Sequence, residues 1–193
     1  MAGTIARLDF ACRCGALRGH LADAAPGDMT RIVCHCRDCR AAYVHLGRDD
    51  PEGVDILQTA QDRVRIDAGG ENLKVFRHTP RGALRWFAAC CGTPLFYTPL
   101  KARLVHAGLN ADTLSEPEAA PKVTAETYLP DGKGGTRHRG AARMVARMVP
   151  RMLAHNLSGA WRGTPFFEDG APVREPLVLT REQRAAALMG VRA

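Results

Sequence analysis

Seven cysteines fall in three tight groups: Cys12 with Cys14, then Cys34, Cys36 and Cys39, then Cys90 with Cys91. An odd count argues against a disulfide framework, and residues 1–10 hold no apolar run between basic flanks, which predicts a cytoplasmic protein. Grouping is what a metal demands, because a tetrahedral ion needs several thiolates converging at about 2.3 Å. The sharpest signal is Cys34-His-Cys36-Arg-Asp-Cys39, three thiols on one loop that enters a predicted helix. Three ligands leave a fourth position open, as in catalytic zinc sites, unless His35 or a distant residue closes it. Unmetallated redox thiols are a further reading. The other two groups supply two thiols each, and two remote pairs make a closed four-thiolate site that staples a fold. Four plus three uses every cysteine. Adjacent Cys90 and Cys91 must bend sharply to share one ion, so one of them can be a bystander.

Short alternating segments surround these groups. Ile5–Phe10 and Ala16–Leu21 read as strands about a glycine-bearing turn, and Arg31–Val33 as a strand entering the second group. Arg40–Leu46 suits one or two helical turns. Val64–Asp67 and Leu73–His78 read as a hairpin closed at Ala68-Gly-Gly-Glu71, and Leu84–Phe87, Pro94–Tyr97 and Arg103–Leu109 complete a β meander. The expected organisation is a mainly β domain over residues 1–112, a linker over 113–137 and a helical C-terminal extension over 138–193. In that extension Arg139, Arg143, Arg147 and Arg151 recur every four residues beside Met144, Met148, Met152 and Val145, Val149, Leu153. This predicts an amphipathic helix, apolar face on the β domain and arginines in water, kinked or divided at Pro150. Thr180 and Gln183 have capping-box spacing, so a last helix is expected from Arg181 toward Met189. Trp86 and Phe87 are expected as core beneath a metal, Phe166 and Phe167 as a clasp of the tail, and His45 and His106 as candidates to approach the open site.

Of 193 residues 46% are hydrophobic, enough for one sizeable core, and no apolar run approaches the ~20 residues of a membrane helix. The net charge of +7 comes from 27 basic and 20 acidic side chains, all but four of the former arginine. No block of like charge appears, so neither nucleic acid nor membrane is the expected partner.

Cys12-Arg-Cys14-Gly15, Cys34-His-Cys36-Arg-Asp-Cys39 and Cys91-Gly-Thr-Pro-Leu95, in that order, resemble the glutathione-dependent formaldehyde-activating family, which includes centromere protein V. The resemblance covers about residues 5–110. It implies a β-tent (Mss4-like) zinc-binding domain with two Zn²⁺ ions. One is structural, mapping onto Cys12, Cys14 and Cys91 with Cys90 in question. The other is catalytic, mapping onto Cys34, Cys36 and Cys39. It also implies carbon–sulfur lyase chemistry on the adduct of glutathione, or another small thiol, with a small aldehyde. His35 and Asp38 beside the second site are the candidate acid/base groups, and Arg37 and Arg40, with Arg13, candidate anchors for glutathione carboxylates. The family pattern is F-C-x-x-C-G at the late site, whereas this chain has Phe87-Ala-Ala-Cys-Cys-Gly92. A bacterial branch of the family has this Cys-Cys form with a similar Pro-Phe-Phe segment and helical tail. The alternative is a zinc-stapled interaction module without turnover.

Overall fold

Period-two apolar alternation and glycine-bearing turns cut most of the chain into short strands, and the computed structural model describes residues 5–24 and 26–192. The first four residues, part of the segment read above for a leader, lie outside these. In chain order the elements are β1 (Ile5–Ala11), β2 (Arg18–Ala24), β3 (Thr30–Cys34), α1 (Arg37–His45), β4 (Val54–Thr59), β5 (Val64–Ala68), β6 (Leu73–Arg77), β7 (Leu84–Ala88), β8 (Thr93–Thr98) and β9 (Ala107–Asn110). They continue with β10 (Val123–Pro130), β11 (Thr136–Arg139), α2 (Ala141–Leu157), β12 (Phe167–Glu168), β13 (Ala171–Pro172), β14 (Leu177–Val178) and α3 (Arg181–Met189). The fold is mainly β with three α-helices among the described residues. None of its helices is long and apolar enough to cross a membrane.

A three-stranded sheet, β1-β2-β5, lies over one face of a nine-stranded sheet ordered β11-β10-β3-β4-β9-β8-β7-β6-β14. Between them sits the main core, where Phe10, Leu17, Leu57, Trp86, Leu95 and Phe166 are fully enclosed. Trp86 meets Phe166 at 5.1 Å, so the aromatic pair near residue 166 does clasp the tail onto the core. The opposite face of the large sheet carries the helices. Alternation along β7 sends Leu84, Trp86 and Ala88 into the core and Arg85 to the helix-bearing face.

Several expectations give way. β5 and β6 do not form a hairpin: β5 pairs with β2 and β6 with β7, so the turn at Ala68-Gly-Gly-Glu71 passes the chain from one sheet to the other. β4 escapes sequence reading because it is buried on both faces and lacks alternation. Of Arg103–Leu109 only the end is strand, in β9. Residues 113–137 are not a plain connection, since β10 returns parallel to β3 with Thr127 opposite Cys34. The mainly β body therefore extends past residue 112, and β14 adds a further edge strand from the tail, parallel to β6.

The amphipathic helix is present but turned. α2 runs unbroken through Pro150, which faces solvent, where water can reach the carbonyl it leaves unpaired. Arg151 is buried and donates to the Asp28 carbonyl at 2.7 Å, while Val145, Val149, Leu153 and Leu157 are exposed. The sheet surface beneath α2 carries Gln58, Tyr97 and His106. The helix keeps Met144, Met148 and Met152 half-buried beside the buried Arg151 and leaves Arg143 and Arg147 exposed as expected.

α3 packs on α1 through Ala41, Ala187 and Val191, and the Thr180/Gln183 capping box forms as expected. An ion pair pins this corner. Asp50, 6% exposed, accepts from Arg40 at 2.9 Å and from the Arg192 backbone N–H at 2.9 Å. Burial alone would raise the Asp50 carboxyl, but the bonds from Arg40 and Arg192 outweigh it and hold it below its ordinary value. Asp50→Asn is expected to cost on the order of 3 kcal/mol at neutral pH, because it leaves an enclosed guanidinium unpaired. A depressed carboxyl stabilises above its unfolded pKa and loses that contribution as pH falls through the folded one. The gap between wild type and variant in urea melts should therefore close below pH 4.

Candidate metal centres

Two cysteine groups converge. Cys12, Cys14, Cys90 and Cys91 have sulfur atoms within 4.8 Å of one another, and so do Cys34, Cys36 and Cys39. In the first group the separations are 3.5 Å for Cys12–Cys14, 3.7 Å for Cys12–Cys90, 3.3 Å for Cys14–Cys90 and 3.9 Å for Cys90–Cys91. A disulfide needs about 2.05 Å, so these are free thiols. A tetrahedron with bonds of about 2.3 Å has edges of about 3.8 Å, so the spacing fits a four-coordinate metal ion.

Two turns build this centre. After β1, Cys12 N–H bonds the Leu17 carbonyl, Gly15 N–H bonds the Cys12 carbonyl, and Leu17 N–H points at the Cys12 sulfur at 3.3 Å. After β7, Gly92 N–H reaches back to the Ala88 carbonyl at 2.8 Å, closing a turn tight enough to bring both adjacent cysteines to the group. Gly92 takes φ +66°, and a Cβ there would meet the Leu46 carbonyl oxygen at 2.9 Å. The Arg48 guanidinium holds the Cys91 and Gly92 carbonyls. Burial opposes ionisation of Cys91, yet the Thr93 hydroxyl and the Cys14 and Thr93 backbone N–H groups bring it down to about 6. Desolvation and the Cys14 and Cys12 thiols push Cys90 up to about 12. Mutual repulsion among packed thiolates is what a bound cation would remove.

In the second group Cys34 closes β3, Cys36 caps α1 by accepting the Cys39 N–H at 3.4 Å, and Cys39 lies in the first helical turn. The three sulfurs line the floor of a cleft of about 260 Å³ on the helix-bearing face, open to solvent. Its walls are Ile32, Ile56, Ala83, Tyr97, Tyr128 and Met144. Tyr128 takes a left-handed φ of 58° at a β-bulge in β10, a strained conformation for a non-glycine residue that re-aims its ring toward the cleft.

Arg85 is the one cation among these lining residues. Its two terminal nitrogens stand 3.9 Å from the Cys39 sulfur, and no carboxylate pairs with it among the described residues. Hydrogen bonds from Cys34 and Cys36 hold the Cys39 thiol well below its ordinary range, and Arg85 adds to them against the opposing effect of burial. Cys34 and Cys36 are raised. In metal-free protein Arg85→Met should therefore raise the Cys39 pKa and slow its alkylation at neutral pH, with exposed Cys14 as the internal control. Equal labelling rates in the variant and wild type would remove Arg85 from the electrostatics of the group. Deeper in, Tyr97 donates to His106 Nε2 at 2.9 Å and Gln58 donates to the Tyr97 hydroxyl at 3.2 Å. Burial, and to a lesser degree Arg151, brings His106 down to about 3, so its ring is neutral.

The four other residues expected at this site face elsewhere. His35 turns Nδ1 to the Glu52 carbonyl at 3.1 Å and lines a separate groove with Arg40 and Leu129. Arg37 donates to the Leu188 carbonyl at 2.7 Å, and Arg40 is held by Asp50 and the Pro51 carbonyl. Asp38 points to solvent 3.8 Å from Arg184. Helix geometry explains this. Successive residues are about 100° apart, so a face that presents Cys36 and Cys39 to the sheet turns Arg37 and Asp38 toward α3. Arg13 lines a groove with Tyr43 and Asp112 beside the four-cysteine group, and His45 packs on Phe76 away from the cleft. Arg85, Tyr97, Tyr128 and Met144 were not anticipated at the site. Only Arg85 left a legible signal: a cation inside Leu84-Arg-Trp-Phe-Ala88, where the alternate residues are all core.

A family described as "Family of unknown function (DUF6151)" matches residues 5–176. No curated protein matches the chain. A solved structure of a Rhodobacter sphaeroides protein is similar over 55% of this chain and 87% of that one, at 23% identity and a TM-score of 0.41.

Proposed function

The chain belongs to that family of unknown function, and we propose that it is a two-zinc protein whose three-cysteine centre makes or breaks a carbon–sulfur bond between a thiol and a small aldehyde. The observation that carries this reading is the convergence of three thiols, Cys34 buried and Cys36 and Cys39 half-buried, on the lining of an open cleft, beside a guanidinium with no carboxylate partner among the described residues. The order of the cysteine motifs and the β-tent fold they imply support it. Cys12, Cys14, Cys90 and Cys91 would hold the structural ion, and Cys34, Cys36 and Cys39 the reactive one. Zinc on three thiolates would supply acidification of a thiol that takes its remaining position.

The chain's own residues then act on the aldehyde. In the forming direction the thiol sulfur bonds the carbonyl carbon, the carbonyl π bond opens onto oxygen, and the thiol's proton ends on the new hydroxyl. Cleavage is the reverse, so neither direction needs an oxidant or reductant. Arg85 stands close enough to the sulfur of Cys39 to donate to that oxygen as it gains charge. It also offsets the formal −1 of a three-thiolate zinc. Ile32, Ile56 and Met144 give the bond being made apolar neighbours on the cleft wall.

Native mass spectrometry on anaerobically purified protein tests this directly. Two zinc ions per chain are expected, with an added thiol joining one of them. Two ions indifferent to every thiol would favour the interaction module, and a metal-free chain would end the zinc reading.

A further inference from the structure

We infer that the thiol accepted by the three-cysteine centre is small, uncharged and apolar, an alkyl or aryl thiol rather than glutathione. The inference rests on the open-centre reading above and narrows its substrate class. Beyond the sulfurs, the cleft is walled by the apolar Ile32, Ile56, Ala83 and Met144 and by the uncharged Gln58, Thr127, Tyr97 and Tyr128. Its only charged lining residue is Arg85, which already lies against Cys39.

Three thiolates on a divalent ion carry −1 and Arg85 carries +1, so floor and wall are balanced before any ligand enters. Glutathione brings two carboxylates and an ammonium. The arginines expected as carboxylate anchors do not serve the cleft: Arg37 is bonded to the Leu188 carbonyl, Arg40 to Asp50, and Arg13 lines a different groove. No acidic side chain lines the cleft to meet the ammonium. Charges drawn into such a cleft stay unpaired and pay a desolvation penalty, whereas methylenes gain by burial. At about 260 Å³ the cleft lies just below the usual range for ligand pockets and is small for a tripeptide. A tripeptide would have to leave its charges in solvent, where nothing in the cleft selects it.

Cobalt(II) in place of zinc gives a direct readout, since a thiolate joining the ion adds to its sulfur-to-cobalt charge-transfer absorption. Full-length cobalt protein titrated with 1-butanethiol should reach half-saturation at a concentration at least tenfold lower than with glutathione. Met144→Lys, which puts an ammonium on the wall, should shrink that preference to threefold or less. If glutathione binds as well as butanethiol or better, the inference fails and the open-centre reading stands. If neither thiol changes the spectrum, the open-centre reading fails and takes the inference with it.

Discussion

Serine in place of Cys12 is expected to lower the melting temperature by about 10–20 °C, and stripping the wild-type protein of metal with a chelator should do the same. Thiolate-bound structural metal contributes about 10–16 kcal/mol in small zinc modules, against a net stability of about 5–15 kcal/mol for a whole domain. Losing one ligand of four forfeits a large part of that. A loss of about 5 kcal/mol in a chain of 193 residues corresponds to the stated shift, at about 2–4 °C per kcal/mol.

The effect is large because of what the centre joins. Cys12 and Cys14 lie on the turn between β1 and β2 in the small sheet, and Cys90 and Cys91 on the turn between β7 and β8 in the large one. The Cys12–Cys90 contact closes a loop of 78 residues across the main core. Without it the two sheets are held mainly by apolar packing around residues such as Phe10 and Trp86, with a few hydrogen bonds such as that from the Arg13 N–H to the Thr93 hydroxyl. Cys90→Ser and Cys91→Ser should each reproduce the shift, because both sulfurs lie within the group. A variant at either position that melts like wild type is a bystander. Unchanged melting of Cys12→Ser would mean that no metal staples this fold.

Cys36→Ser should behave in the opposite way, abolishing thiol binding and lowering turnover by on the order of 10³ or more while leaving the melt within about 1 kcal/mol of wild type. Cys36 is the N-cap of α1, its sulfur accepting the Cys39 N–H. Serine is among the best N-caps, so the helix start survives the substitution. On the proposed reading, what is lost is one of three soft ligands, and with it the ion that would acidify the incoming thiol. Metal content should fall from two ions per chain to one. Cys36→Val separates capping from ligation: it removes both, adding about 1 kcal/mol of destabilisation to the same loss of turnover. If Cys36→Ser unfolds the chain, the second centre is structural. If it keeps its thiol and its second ion, the reactive site has been put in the wrong place.

Much of the local structure was legible because its signals are local. The hairpin into Cys12, the strands flanking Cys90 and Cys91, and α3 with its capping box all follow from alternation, turn residues and caps within a few positions. Partner choice was not. Nothing within Val64–Ala68 or Leu73–Arg77 says that these strands belong to different sheets, since antiparallel neighbours in sequence usually pair. The parallel return of β10 beside β3 links residues about 93 positions apart and leaves no mark in the loop-like composition that precedes it. α2 shows the same limit on a helix. Its periodicity is plain, but the polar groups of Gln58, Tyr97 and His106 beneath it decide that Arg151 goes inward and Leu153 outward.

The sequence alone divided the cysteines into a group of four and a group of three, with one of Cys90 and Cys91 open as a bystander, because ligand identity is a matter of chemistry and short spacing and the thiols within each turn or loop are neighbours in the chain. The tertiary structure decided what faces the three-cysteine group. Arg37, Asp38 and Arg40 sit next to the three cysteines in sequence and turn away from the cleft in space, because the helix that caps on Cys36 rotates about 100° per residue. His35, ahead of that helix, is turned away by its bond to the Glu52 carbonyl. Arg85, Tyr128 and Met144 come from a strand, a bulge and a helix far along the chain and form the cleft's walls. Long-range strand pairing and the packing of α2 bring them there, and no local pattern encodes either.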